Sequence, residues 1–152
     1  ARATQTGTLR SSSMALLLLA SPCVQGIGLS FLAVGDWGGD SDREPTTSAQ
    51  IASAKGMAQM GEHLDVEGIL LLGDNFYNKG VTSSTSKRFE ETFEDVYTTS
   101  LFKNLPFHVI AGNHDHDGNV QAQVDYKGSA RWKFPSLYYT LPFNFTSSAG
   151  KA

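Results

Sequence analysis

Cysteine is all but missing from this chain: Cys23 is the single one among 152 residues. No disulfide can form within the polypeptide, even in an extracellular setting that would permit one. An excess of basic charge is missing too. Twelve Lys and Arg stand against fifteen Asp and Glu, a formal net charge of -3, and no stretch concentrates the cations. That balance disfavours nucleic acid and anionic membrane surfaces as partners. The apolar run Met14 to Ala20 falls far short of the ~20 residues a bilayer span needs. No glycine-rich dinucleotide turn follows the first predicted strand, which argues against a nicotinamide-dependent dehydrogenase. Aspartyl-phosphate chemistry would need a second Asp two residues after Asp36, and Gly38 stands there. Histidine also stops early, since all four precede Asp117.

What is present divides the sequence into three parts. Residues 1–26 read as upstream sequence and a leader, in which Arg10 and three serines precede the apolar run and Pro22 and small residues follow it. This is the pattern of a secretory signal peptide starting at Met14, with cleavage expected after Gly26. A leucine-rich start to a buried helix is the alternative. Residues 27–146 read as a single domain without repeats or linkers, and 147–152 as an irregular, truncated tail of small residues. Asn144-Phe145-Thr146 is an N-glycosylation sequon, in keeping with a secreted or lysosomal product.

Three apolar runs each stop at a glycine followed by an oxygen-bearing side chain. Phe31 to Gly35 leads to Asp36, Ile69 to Gly73 to Asp74, and Val109 to Gly112 to Asn113, with His114 next. Short runs of this kind predict buried strands of a mostly parallel sheet, the glycine permitting a sharp turn at the strand end. The three oxygens are then expected in one crevice beyond the carboxyl ends of the strands. Clustered carboxylates repel one another unless a cation lies between them, which points to metal ions. Taken singly the motifs are weaker: Gly-Asp after a strand is ordinarily a turn, and a tyrosine such as Tyr77 often only packs.

Between the strands, Thr47 or Ser48 is expected to cap a helix with Ile51, Ala54 and Ala58 on one face, ended by Gly61. Asp40 and Asp42 read as a solvated turn. A second helix should carry Phe89, Phe93, Val96 and Tyr97 inward, with Glu90, Glu91, Glu94 and Asp95 on a solvated face. Asn119 is expected to cap a short helix, and the aromatic and Thr content of Ser136 to Phe145 suggests a strand.

The segments Gly35-Asp36-Trp37-Gly38-Gly39, Gly73-Asp74-Asn75-Phe76-Tyr77 and Gly112-Asn113-His114-Asp115-His116 resemble the first three signature blocks of the purple acid phosphatases. The small, animal-type, tartrate-resistant members are the most similar, and the likeness extends to Lys87 to Val96 and Arg131 to Ser136. The resemblance implies an α/β metallophosphoesterase fold, an α+β sandwich of two mixed sheets flanked by helices, of which this chain holds about the N-terminal half. It also implies hydrolysis of phosphate monoesters by a hydroxide activated at a dinuclear centre of Fe3+ and a divalent Fe2+, Zn2+ or Mn2+.

Position by position, the resemblance makes Asp36 and Tyr77 ligands of the ferric ion, Asp74 the bridge between the metals, and Asn113 a ligand of the divalent metal. His114 matches a catalytic histidine beside the phosphate, where an imidazole can offer a proton to the leaving alkoxide. His116, Asp115 and Asp117 are at most supporting groups, while His63 and His108 read as ordinary surface or packing residues. The family also draws three histidine ligands from downstream blocks that this sequence does not contain, so the chain alone is expected to be inactive and monomeric. The competing expectations are a non-catalytic truncated product, and a phosphodiesterase or nucleotidase of the same superfamily.

Overall fold

A computed structural model describes residues 28–143. Its strands are β1 (Phe31–Val34), β2 (Gly68–Leu71), β3 (Phe107–Val109) and β4 (Trp132–Lys133). They form one parallel sheet in chain order, with Leu32 level with Ile69, Ile69 with Phe107, and Phe107 with Trp132. Parallel neighbours need crossovers, and each crossover here holds helical structure. Helix α1 (Ser48–Leu64) joins β1 to β2, a π-helical turn (Phe89–Glu94) and α2 (Ser100–Asn104) lie between β2 and β3, and α3 (Asn113–His116) and α4 (Val120–Asp125) lead to β4. The fold class expected of the sequence is therefore present as a parallel α/β layer. Where the resemblance implies two mixed sheets, the described residues supply this one.

Thr47 caps α1 as anticipated, its hydroxyl accepting from Gln50 N at 3.1 Å. The buried stripe differs from the expected one: Gln50, Ala54, Ala58 and Gly61 face inward, whereas Ile51 is 56% exposed. Gln50 is accepted there because its amide donates to Thr92 O at 2.8 Å. Nor does Gly61 end the helix. It sits under α2, where an added Cβ would lie 2.5 Å from Leu101, and the chain turns instead at Asp65 in the left-handed region.

Side-chain alternation puts Ile69, Leu71, Phe107, Val109 and Trp132 on one face of the sheet, all buried. Phe93 from the π-helical turn meets Phe107 edge-on at 5.0 Å and Trp132 at 5.1 Å, and Trp37 and Tyr97 complete the aromatic core. The turn is wider than the expected α-helix, with Asp95 N bonding Glu90 O, so Phe89, Thr92 and Phe93 all point inward. Glu90, Glu91 and Asp95 are exposed as anticipated, while Glu94 pairs with Arg131.

The segment 136–143 is not a strand. Pro135 lacks the N–H a ladder needs, and of the aromatic residues beyond it Tyr139 and Phe143 lie against the sheet, Phe143 meeting Phe31 edge-on at 5.2 Å, while Tyr138 is exposed. Asn119 does cap α4, its side chain accepting from Ala122 N.

Candidate metal centre

All three motifs reach the same rim of the sheet. Asp36 N donates to Gly73 O at 3.1 Å, and Ile110 N to Leu71 O at 3.0 Å, so the chain keeps its lateral pairing for two residues past β1 and β2 and one past β3. The turns are then made in different ways. Gly73 has φ 101° and so needs to be glycine, but in the first motif Asp36 itself takes the left-handed conformation at φ 55°, as Asp74 does at φ 51°. Gly112 is required for proximity rather than for φ. A Cβ there would lie 2.2 Å from Asp74 Oδ1.

Asp36, Asp74 and Tyr77 are brought together. Tyr77 Oη lies 2.8 Å from Asp36 Oδ1 and 3.0 Å from Asp74 Oδ2, so two carboxylates share one phenolic proton. Burial, followed by the hydrogen bonds and negative charge of Asp36 and Asp74, holds that proton on the phenol well above its ordinary range. A hard cation fits this donor set: it would occupy the position of the shared proton, neutralise two carboxylates, and turn the phenol into a third oxygen ligand. Among the described residues no three His, Cys, Asp or Glu side chains gather at one point; the convergence is built from two carboxylates and a phenol.

His114 joins the same cluster. Its backbone N–H donates to Asp74 Oδ1 at 3.1 Å and its ring packs edge-on against Tyr77 at 4.7 Å. Nδ1 lies 2.6 Å from Asn78 O. A carbonyl can only accept, so Nδ1 carries a proton and Nε2 is left for another partner. Asn113 opens α3 one residue earlier, with its side chain exposed at the rim. His116 and Asp117 face solvent, as does His63, and His108 lies on the reverse face of the sheet.

Two groups that the sequence left in the background hold the rim in place. Asp115, read at most as a supporting residue, is fully buried and accepts from Gly112 N, Asn75 N, Phe76 N, Asn75 Nδ2 and Gln123 Nε2. Burial pushes its carboxyl up from the ordinary range, opposed by those bonds from Gly112, Gln123, Asn75 and Phe76. Arg88 is also buried, and its guanidinium donates to Gly38 O at 2.6 Å, Tyr77 O at 2.7 Å and Asp42 Oδ1 at 3.0 Å. Asp42 remains in a solvated turn as expected, its side chain 87% exposed, and reaches Arg88 from there. The available signal was composition: an acid in a motif too rich in polar residues for packing, and one Arg heading an aromatic stripe.

Asn144, the leader and the tail lie outside the described residues. Among the described residues no helix is long and apolar enough to cross a membrane.

A family profile for calcineurin-like phosphoesterases matches residues 29–151. Tartrate-resistant acid phosphatase type 5 of Sus scrofa is 51% identical over 121 residues, covering 79% of this chain and 36% of that protein. The Homo sapiens protein of the same name is 50% identical, covering 76% of this chain and 36% of its own length. Purple acid phosphatase 3 of Arabidopsis thaliana is 36% identical, over 75% of this chain and 30% of that protein. Among solved structures, GAP50, the anchor in the inner membrane complex of Plasmodium, superposes with a TM-score of 0.66 at 30% identity, covering 80% of this chain and 38% of that one. The chain therefore spans about a third of the length of these relatives, between 30% and 38%. With the three signature loops on the rim of a parallel sheet, and half of its residues shared with the animal proteins across that region, the chain is similar to the purple acid phosphatases and belongs to the calcineurin-like phosphoesterases.

Proposed function

We propose that this chain carries the metal- and phosphate-handling loops of an acid phosphatase that hydrolyses phosphate monoesters. The observation behind this reading is the meeting of Tyr77 Oη with Asp36 and Asp74, at 2.8 Å and 3.0 Å, from two strand ends remote in sequence. In this reading Asp36 and Tyr77 would hold the ferric ion, Asp74 would serve both it and a divalent Fe2+, Zn2+ or Mn2+, and Asn113 would offer its amide oxygen to the divalent ion. When bound, the metal pair supplies charge neutralisation for the phosphate oxygens and activation of water. The chain's own groups do the rest. Tyr77 would give up its shared proton to solvent on binding metal, and His114, its Nδ1–H committed to Asn78 O, would act as the imidazolium, its Nε2–H donating to the phosphate ester and passing that proton to the departing alkoxide. The three histidines that the resemblance places downstream would complete the metal shell in a longer form of the protein. The leader and the Asn144 sequon support a secreted or lysosomal route.

A second reading, a non-catalytic member that holds a partner, is favoured by one observation: the solved relative of the same fold is described as an anchor. Ferric ion added to the purified chain tests both. The first expected outcome is a visible absorption band from the Tyr77 phenolate, lost in Tyr77→Phe, with metal uptake lost in Asp74→Asn. No band and no uptake would sink the metal reading. Turnover is tested on a longer form that carries the downstream histidines: there, metal uptake without hydrolysis of an aryl phosphate would favour the anchor, and preference for a diester or nucleotide in a substrate panel would move the substrate class.

A further inference from the structure

We infer that Asp115 is a positioning residue for the metal centre, setting the spacing of the three ligand-bearing loops through the residues next to the ligands; the inference rests on the metal reading above. The pattern is regular. Trp37 follows Asp36, Asn75 follows Asp74, and Gly112 and Asp115 flank Asn113 and His114. Trp37 Nε1 donates to Asn75 Oδ1 at 3.0 Å, Asn75 Nδ2 donates to Asp115 Oδ2 at 3.2 Å, and Gly112 N donates to Asp115 Oδ2 at 2.8 Å. A continuous strut thus runs across all three loops directly beneath the oxygens that converge on Tyr77.

The far end of the strut is anchored in the core. Gln123 Nε2 donates to Asp115 Oδ1 at 2.9 Å, and its Oε1 accepts from Asn75 Nδ2 at 3.2 Å. Asn75, Asp115 and Gln123 are each fully buried, so water cannot substitute for a missing partner. Every group facing the Asp115 carboxylate is a donor: three backbone N–H groups and two side-chain amides. Only an all-acceptor side chain suits that surrounding. An asparagine at 115 would turn an NH2 group against N–H donors whichever way its amide were flipped.

The test follows from that polarity. Asp115→Asn should weaken ferric uptake by the 152-residue chain roughly 10- to 100-fold, the usual cost of losing a group that orients metal ligands, and shift the Tyr77 absorption band. Gln123→Glu sets a second carboxylate against Asp115 and should weaken uptake in the same way. Combined, the two changes restore a donor facing an acceptor between positions 115 and 123, while Asn75 N and Phe76 N still oppose the new amide, so the double variant should bind better than either single one and recover part of the loss. Phe102→Leu, which thins the core under α2, serves as control: it should lower the melting temperature and leave ferric affinity and band position unchanged. If the single variants fail to fold, recovery of both fold and colour in the double variant decides the matter. Parental binding in Asp115→Asn, or a double variant no better than either single one, would overturn the inference alone. A parent chain that takes no ferric ion would overturn the metal reading and this inference together.

Discussion

The two faces of the sheet differ sharply. On one, Ile69, Leu71, Phe107 and Val109 are entirely buried beneath the aromatic side chains of the crossovers. On the other, Leu72 is 52% and Ile110 42% exposed, and the cover is the segment 136–143, whose Tyr139 Oη reaches Val109 O and Lys133 O. Parallel sheets ordinarily bury both faces. The contrast shows that the order of the rim comes from one side only. Trp37, Arg88 and Gln123, which fix the loops, all reach them from the packed face, through contacts with Phe76, Thr92 and Trp132.

The largest break in that contrast should come from Phe93→Ala, which removes the ring that meets Phe107 and Trp132. A loss of about 3–5 kcal/mol is expected, read from urea denaturation, and a loss below ~1 kcal/mol would deny the packed face its role. Arg88→Met comes next. It strands the carbonyls of Gly38 and Tyr77, at about 1–3 kcal/mol for each buried acceptor left without a partner, and should dull the ferric band as the Tyr77 loop loosens. Arg88→Lys should recover only part of the loss, because an ammonium cannot reproduce the fork.

Smaller effects belong to the open face. Burial, and then the charge of Lys133, lowers the pKa of His108 from its ordinary 6.5, and His108 Nδ1 has no hydrogen-bond partner among the described residues. The unfolded chain therefore binds the proton more readily than the folded one, so stability is full above the unfolded value and falls as the pH drops below it. His108→Leu should flatten that fall, measured as melting temperature between about pH 5 and pH 7. Leu72→Ser should change stability by no more than about 0.5 kcal/mol, as expected for an exposed site. A larger loss would mean that this face is covered in solution.

Much of this was legible in the residues. The strand-glycine-oxygen pattern located the rim because both halves of the signal are local: a short apolar run and a break. The caps at Thr47 and Asn119 were readable for the same reason. The Ile51 stripe failed because a neighbouring carbonyl, Thr92 O, makes room for Gln50, and partners of that kind are tertiary facts. The end placed at Gly61 failed because glycine there serves the close approach of α2. Ser136 to Phe145 had the composition of a strand, but within its described part, 136–143, the rings of Tyr139 and Phe143 lie on a sheet instead of extending one. Composition hinted at Asp115 and Arg88 but could not give their partners, which include donors and carbonyls contributed by loops some 40 and 50 residues away.

Asp36 and Asp74 occupy backbone conformations that suit glycine, a disfavoured choice of roughly 1–2 kcal/mol for an L-residue. A single-base change converts an aspartate codon to a glycine codon. Under the metal reading proposed above, the exposed Asp36 could be exchanged for a more relaxed backbone at the loss of one ligand, leaving a sturdier protein without its ferric site. In that reading an acid at such a place trades durability for chemistry, and Asp36→Gly would separate the two.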